Sequence, residues 1–291
     1  GKRGAEAHAA WNKLFAEYTA KYPKEAAEIT AMEKRDLPAG WDKDIPVFKA
    51  DPKGLATRDS SGQVLNAIAK NVPWFVGGSA DLNPSTKTFM KFEGAGVFTA
   101  KTPAGRNIHF GVREHGMGAI MNGLTLSNLR AYGSGFFIFS DYGRGALRLA
   151  AVMHIPALYV FTHDSIGVGE DGPTHQPIEH LASIRAMPNM VVIRPGDANE
   201  VAEAYRYAVQ QKHVPITLLM TRQAVPTLDR TKYAPAAGLQ KGGYVLADAA
   251  GGKPDVILIG TGSEVSLVVE AYEKLTADGV KARVVSLPSW E

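Results

Sequence analysis

The sequence predicts an α/β fold: a parallel sheet with helices on both faces, plus a partial second α/β domain. Two observations carry this expectation. From about residue 58 onward, short runs rich in β-branched residues alternate with longer helical stretches. Those runs are apolar throughout rather than at every second position, which is how strands covered on both faces read. The tail repeats the pattern once, with a strand over 256–259, a helix over 264–277 and a strand over 282–286. A β-α-β piece of about 50 residues is too small to bury a core of its own. The second domain is therefore expected to be truncated, and the absence of an initial Met fits a chain that begins partway through a longer product.

The elements follow in order. Trp11, Leu14, Phe15 and Tyr18 recur at helical spacing, and Tyr22-Pro23 ends that run. A second helix is expected over 25–34, followed by a Pro- and Asp-rich extended connector over 36–57. A helix over 62–70 leads to a short strand at 74–76 and a turn at Gly77-Gly78. Further strands are expected at 108–110, 136–139, 157–162, 190–193 and 216–220. Helices are expected from near Arg113, over 143–153, and over 198–211 with Asp197 as N-cap. The expected division is a helical arm and linker over 1–57, a main domain over 58–236, and the start of a second domain over 237–291.

Composition narrows the function classes. Among 291 residues, 32 basic and 29 acidic side chains leave a net charge of +3 with no isolated basic block, so no nucleic-acid partner is expected. No apolar run approaches the roughly 18 residues that span a bilayer, so no membrane partner is expected either. With no cysteine, disulfides, thiolate metal sites and cysteine nucleophiles are all excluded, which fits a reducing compartment.

Parallel α/β sheets bind ligands outside the carboxyl ends of their strands. Asp81, Glu114, His163 and Arg222 all stand just after strands, and the Gly-rich loop from Asp164 to Pro177 follows the strand at 157–162. The topology thus gathers residues distant in sequence at one edge. Phe136, Phe139 and Tyr142 fall three apart and make an aromatic face, which is also what plain core packing looks like. His163, His175 and His180 do not form a metal set, because no regular element puts them on one face and no ligand completes them. Gly260-Thr261-Gly262 follows a strand but lacks the third glycine of a dinucleotide fingerprint.

Four segments carry a family likeness: GGSADLNPS (77–85), FGVREHGMGAIMNG (110–123), FFIFSDYGRGALRL (136–149) and THDSIGVGEDGPTHQPIEHLASIR (162–185). They resemble, in order, the pyrimidine-binding domain of transketolases, and the likeness runs from about residue 5 to the end. Dihydroxyacetone synthase shares more of the long loop than other thiamine enzymes and is the nearest rival. The resemblance implies a thiamine diphosphate-binding fold. It also implies transfer of a two-carbon ketol unit from a ketose phosphate to an aldose phosphate, as in the pentose phosphate pathway and Calvin cycle.

The same resemblance assigns roles. Thiamine chemistry needs a carboxyl that shares a proton with the cofactor's aminopyrimidine ring nitrogen, and Glu114 resembles that catalytic group. On the residues alone, an acid favoured by a helix dipole explains Glu114 equally well. Phe136, Phe139 and Tyr142 resemble the wall around the pyrimidine, and Asp81 a residue near the cofactor at a subunit boundary. Arg58, Ser85, His163 and Arg222 match phosphate-binding positions, where planar guanidinium groups suit a dianion, although either arginine could be a solvated surface residue. Asp171 resembles a contact to a donor hydroxyl and His175 a group near the substrate carbonyl, although Asp171 before Gly172-Pro173 is also an ordinary turn residue. His109 and His115 are read as structural.

In transketolases a separate N-terminal domain binds the diphosphate and its Mg²⁺ or Ca²⁺ through a Gly-Asp-Gly motif followed by asparagine. No such motif occurs here, and Gly196-Asp197-Ala198 lacks the second glycine. The metal ligands are thus expected elsewhere, either in a homodimer of a longer chain or in a complementary diphosphate-binding chain. The alternative expectation is a fragment or split subunit with no catalysis of its own. By resemblance the setting is cytoplasmic, or the plastid stroma in a photosynthetic eukaryote.

Overall fold

Pro23 splits the opening helical stretch into α1 (Lys2–Lys21) and α2 (Pro23–Glu33), since proline is tolerated at the first turn of a helix and not in its interior. Along α1 the rings of Trp11, Phe15 and Tyr18 stack in succession, with centroids 5.7 and 6.4 Å apart. The computed structural model describes residues 1–291. These two helices belong to one compact unit, Gly1–Gly40, and the rest of the chain to another, Trp41–Glu291.

The larger unit begins with β1 (Asp51–Ala56), α3 (Thr57–Asn71), β2 (Phe75–Ser79), α4 (Asn83–Thr86), β3 (Asn107–His109) and α5 (Glu114–Leu126). It continues through β4 (Arg130–Phe136), α6 (Ser140–Val152), β5 (Leu158–Thr162), α7 (His180–Arg185) and β6 (Val191–Ile193). Next come α8 (Ala198–Gln210), β7 (Ile216–Met220) and β8 (Ala224–Thr227). The tail is β9 (Tyr244–Ala247), β10 (Val256–Gly260), α9 (Glu264–Ala277) and β11 (Ala282–Ser286).

Six strands form one sheet in the order β3-β2-β4-β5-β7-β6, with every neighbouring pair parallel. β4, β5 and β7 are buried at every position, so both faces are covered, as the apolar runs of β5 and β7 predict. Met117 and Met121 of α5 and Leu147 of α6 join Tyr159, Phe161, Val192 and Leu219 in one core cluster. The chain leaves β2 toward β3 and leaves β4 toward β5, in opposite directions. A crevice therefore lies at the carboxyl ends of β2 and β4, where such sheets bind ligands.

Four local readings need correction. Gly77 and Gly78 are not a turn but lie inside β2. A Cβ at Gly77 would lie 2.1 Å from the Tyr132 carbonyl oxygen, and one at Gly78 would lie 1.8 Å from that of Ile108. The glycines are there because flanking strands approach the backbone too closely for a side chain. The strand expected at 136–139 is β4, which ends at Phe136, and Phe137–Phe139 form a 3₁₀ turn. Within the expected connector, β1 pairs antiparallel with β8. Finally, the tail holds a third strand, β9, antiparallel to β11, in a sheet ordered β10-β11-β9. With that strand, Leu246, Val265, Val269 and Val284 gather with Leu228 into a small core of their own. No helix is long and apolar enough to cross a membrane.

Candidate active site

Glu114 is the first residue of α5 and follows β3 by a short loop. Its side chain is largely buried, 8 % exposed as a residue, yet it lines an open pocket of about 600 Å³. Phe139 and Tyr142 line the same pocket, together with Val112, Arg113, His115 and Gly116. His115, read from sequence as structural, is thus beside the pocket. The 3₁₀ turn after β4 is what presents Phe139 and, one turn further, Tyr142 to this space; their rings stand 6.1 Å apart. Tyr142 is 67 % exposed, so it is not core packing. Phe137, in contrast, is fully buried against Phe161 and His180.

The aromatic wall continues into the polar cluster. Phe136 stacks on Phe139 at 5.8 Å and on the His163 ring at 3.7 Å, and the His175 ring meets Phe136 and Phe139 edge-on at 5.6 and 5.5 Å. His163 closes β5 with a left-handed backbone, φ 60°, which turns the chain into the Gly-rich loop. Its Nδ1 lies 2.9 Å from the Thr162 hydroxyl and its Nε2 3.4 Å from Asp171 Oδ2. Burial pushes the imidazole down to about 4, with Arg58 and Arg222 adding to the effect and Asp171 opposing it. His163 is therefore a neutral hydrogen-bonding group through the physiological range.

Two cations border the same cluster. Arg222, just after β7, pairs through Nε with Asp171 Oδ2 at 3.2 Å and through Nη2 with Glu170 Oε1 at 2.9 Å. Arg58, in the first turn of α3, donates from Nη1 to the Ser85 carbonyl at 3.1 Å, while its buried Nε–H has no partner. Burial lowers the Arg58 pKa, Asp59 opposes, and the nearby Arg222 charge lowers it further. Two guanidinium groups that repel each other, one with an unsatisfied buried donor, form a place that an anion would relieve.

The structure thus brings Glu114, Phe139 and Tyr142 to one pocket and joins it through Phe136 to His163, Asp171, His175 and Arg222. Arg58 and Ser85 contact each other and are electrostatically linked to that cluster. Asp81 stands apart: it is exposed, has φ 65°, and no hydrogen bond or ion pair joins it to the others. His180 is separate from His163 and His175, with Nε2 on Asp141 Oδ2 at 3.0 Å. Sequence reasoning missed Thr162 and Glu170, which flank His163 and Arg222. It also missed the Asp164–Arg194 pair next to His163, although Arg194 follows β6 just as Arg222 follows β7.

Residues 53–227 match the family described as transketolase, pyrimidine binding domain, and residues 242–291 match the transketolase-like C-terminal domain. The chain is 52% identical over 289 residues to a transketolase of Geobacillus stearothermophilus, covering 99% of this chain and 43% of that protein. It resembles a crystal structure of the Pichia stipitis transketolase in complex with sedoheptulose 7-phosphate, with a TM-score of 0.90 and 45% identity over 99% of this chain and 43% of the other. A structure described as a split-gene transketolase, inactive β4 tetramer, matches with a TM-score of 0.65 and 28% identity, covering 81% of this chain and 72% of that one. The chain therefore spans less than half the length of the first two relatives. The chain belongs to the transketolase family, of which it carries the pyrimidine-binding domain and the start of the C-terminal domain.

Proposed function

We propose that this chain supplies the pyrimidine side of a thiamine diphosphate site and the sugar phosphate-contacting side of a transketolase active centre. The observation that supports it best is that the largely buried Glu114 lines one pocket together with Phe139 and Tyr142. That donor set fits a flat heterocycle with one protonatable nitrogen: a carboxyl sheltered from water, with aromatic surface in the same pocket. When bound, thiamine diphosphate supplies the carbon nucleophile that takes up the two-carbon ketol unit.

The chain's own residues would work as follows. Glu114 holds a proton at the pyrimidine ring nitrogen, while Phe136, Phe139 and Tyr142 orient the ring and exclude water. Arg58 and Arg222, with Ser85 and His163, receive the phosphate dianion, which takes up the unpartnered Arg58 Nε–H and competes with Glu170 for Arg222. His163 serves as a neutral donor there, so phosphate binding does not require it to be charged. Asp171 and His175 face the hydroxyl and carbonyl end of the ketose. Asp81, on its exposed loop, is assigned to the boundary with the subunit or chain that brings the diphosphate and Mg²⁺ or Ca²⁺.

Two forms of this reading differ in what completes the site. A longer chain would complete it as a homodimer. The likeness to a split-gene transketolase of comparable extent favours the second form, in which a complementary diphosphate-binding chain does so. A coupled ketol-transfer assay checks both: the 291-residue chain alone should give no turnover, and adding a diphosphate-binding transketolase half should restore it. Turnover by the chain alone would overturn the division of labour, and none with any such half would overturn the enzymatic reading.

A further inference from the structure

Next to His163, and outside the pocket and the phosphate cluster, lies a charge network, buried at Arg194 and Asp164, that the proposed chemistry does not use. Arg194, at the end of β6, has a side chain 6 % exposed. Its Nε–H donates to Asp164 Oδ2 at 2.7 Å, and that carboxylate is fully buried. The other edge of the same guanidinium is held by the tail. Nη1 donates to the Thr261 carbonyl at 3.0 Å and to Glu264 Oε2, and Nη2 donates to Ser263 Oγ and Glu264 Oε1, each at 3.2 Å. The backbone is stitched at the same point, with Arg194 N–H on the Pro288 carbonyl at 2.8 Å and Gly262 N–H on the Arg194 carbonyl at 3.0 Å.

Gly262 shows how closely the two parts fit. It has φ 57°, and a Cβ there would lie 2.6 Å from Arg194 Nε, so glycine is required both by its backbone and by the guanidinium beside it. The glycine pair that resembles a nucleotide fingerprint is thus a seat for an arginine.

Asp164 is the residue after His163 and opens the loop that carries Asp171 and His175. Its Oδ1 is buried without a hydrogen-bond partner, which leaves Arg194 as the principal partner of this carboxylate. Next to it, His163 keeps a left-handed backbone, a conformation that persists in a non-glycine residue only when its surroundings over-determine it. We infer that Arg194 is a positioning residue: clamped by Thr261, Ser263 and Glu264 of the C-terminal segment, it holds Asp164 and so sets the His163 corner and the base of the substrate loop. What the clamp does for sugar phosphate binding rests on the function proposed above, whereas the clamp itself is testable without turnover.

The test uses the 291-residue chain with Arg194→Lys, which keeps the charge but loses the fork, and Glu264→Gln, which keeps the shape but loses the charge. Hydrogen–deuterium exchange at residues 163–172 should quicken about tenfold in Arg194→Lys and a few-fold in Glu264→Gln, in line with loss of charge-assisted hydrogen bonds, while β4 and β7 stay protected. The His163 ring, followed by NMR, should then titrate higher than it does in the parent chain, because burial is the main cause that lowers it and water now reaches it. The charged groups facing that ring, Arg58, Asp171, Arg222 and His175, are unaltered in both variants. Unchanged loop exchange and an unchanged His163 titration would overturn the inference, as would a uniform rise in exchange over the whole sheet. Should Arg194→Lys fail to fold, Glu264→Gln decides alone, since its carboxylate is 47 % exposed and its loss tolerable. Neither readout uses catalysis, so failure here and failure of the proposed activity are separate results.

Discussion

Replacing Glu114 with alanine should lower ketol transfer, in the complemented enzyme, by about 10²- to 10⁴-fold, the range typical of removing a positioned acid–base group. The physical reason lies in the location of this carboxyl. It stands at the first position of α5, mostly sheltered, on a pocket that Phe139 and Tyr142 also line. No other carboxyl lines that pocket, so no neighbouring acid of the same kind replaces it. The fold should survive, because losing an acid from a helix N-terminus costs only about 0.3–1 kcal/mol. Circular dichroism and melting of the variant check the second half, and the coupled assay checks the first. An activity within a few-fold of the parent would remove Glu114 from its assigned role.

The largest stability effect is expected from Asp197→Ala. Asp197 caps α8, accepting the Glu200 N–H at 2.8 Å, and its other oxygen accepts the Leu228 N–H at 3.1 Å and Arg230 Nη2 at 2.8 Å. Its side chain is fully buried. Removing it deletes a cap and leaves a mostly buried guanidinium short of its partner, a loss that typically costs about 3–5 kcal/mol. One term offsets part of this. The Glu200 carboxyl is pushed upward by burial and then by Asp197, and it would be relieved. The net loss should thus sit near the lower end, about 3 kcal/mol, or about 10 °C in a unit of this size. Thermal unfolding checks the value, and Asp197→Asn, which keeps a capping oxygen, should lose less. The damage should reach the tail, because Glu200 also accepts from Tyr244 and Ser286 at 2.6 and 2.8 Å.

Legibility in the sequence followed the range of the forces involved. The helix over 264–277, the strands over 216–220 and 282–286 and the Asp197 cap match their expected positions, because periodicity and caps are local signals. Gly77-Gly78 was legible only as a turn, since the neighbours that demand glycine, Tyr132 and Ile108, lie far along the chain. β1 was hidden for the same reason: its partner is β8, and its sequence has no alternation of its own. Within the candidate site, the strand-end rule located Glu114, His163 and Arg222. It did not reveal that Asp171 would sit between His163 and Arg222, because a loop residue's partners depend on where glycines at φ 81° and 78° turn the chain. The same rule applied to β6 would have singled out Arg194. Its partners besides Asp164 come from the tail, whose sequence carries no sign that it serves the loop.

The most direct test is a crystal structure of this chain with thiamine diphosphate and a diphosphate-binding partner. The Glu114 carboxyl should lie within hydrogen-bonding reach, about 2.6–3.2 Å, of the pyrimidine ring nitrogen, with the ring bounded by Phe139 and Tyr142. A pyrimidine held anywhere else, or one whose ring nitrogen faces a different group, would contradict it.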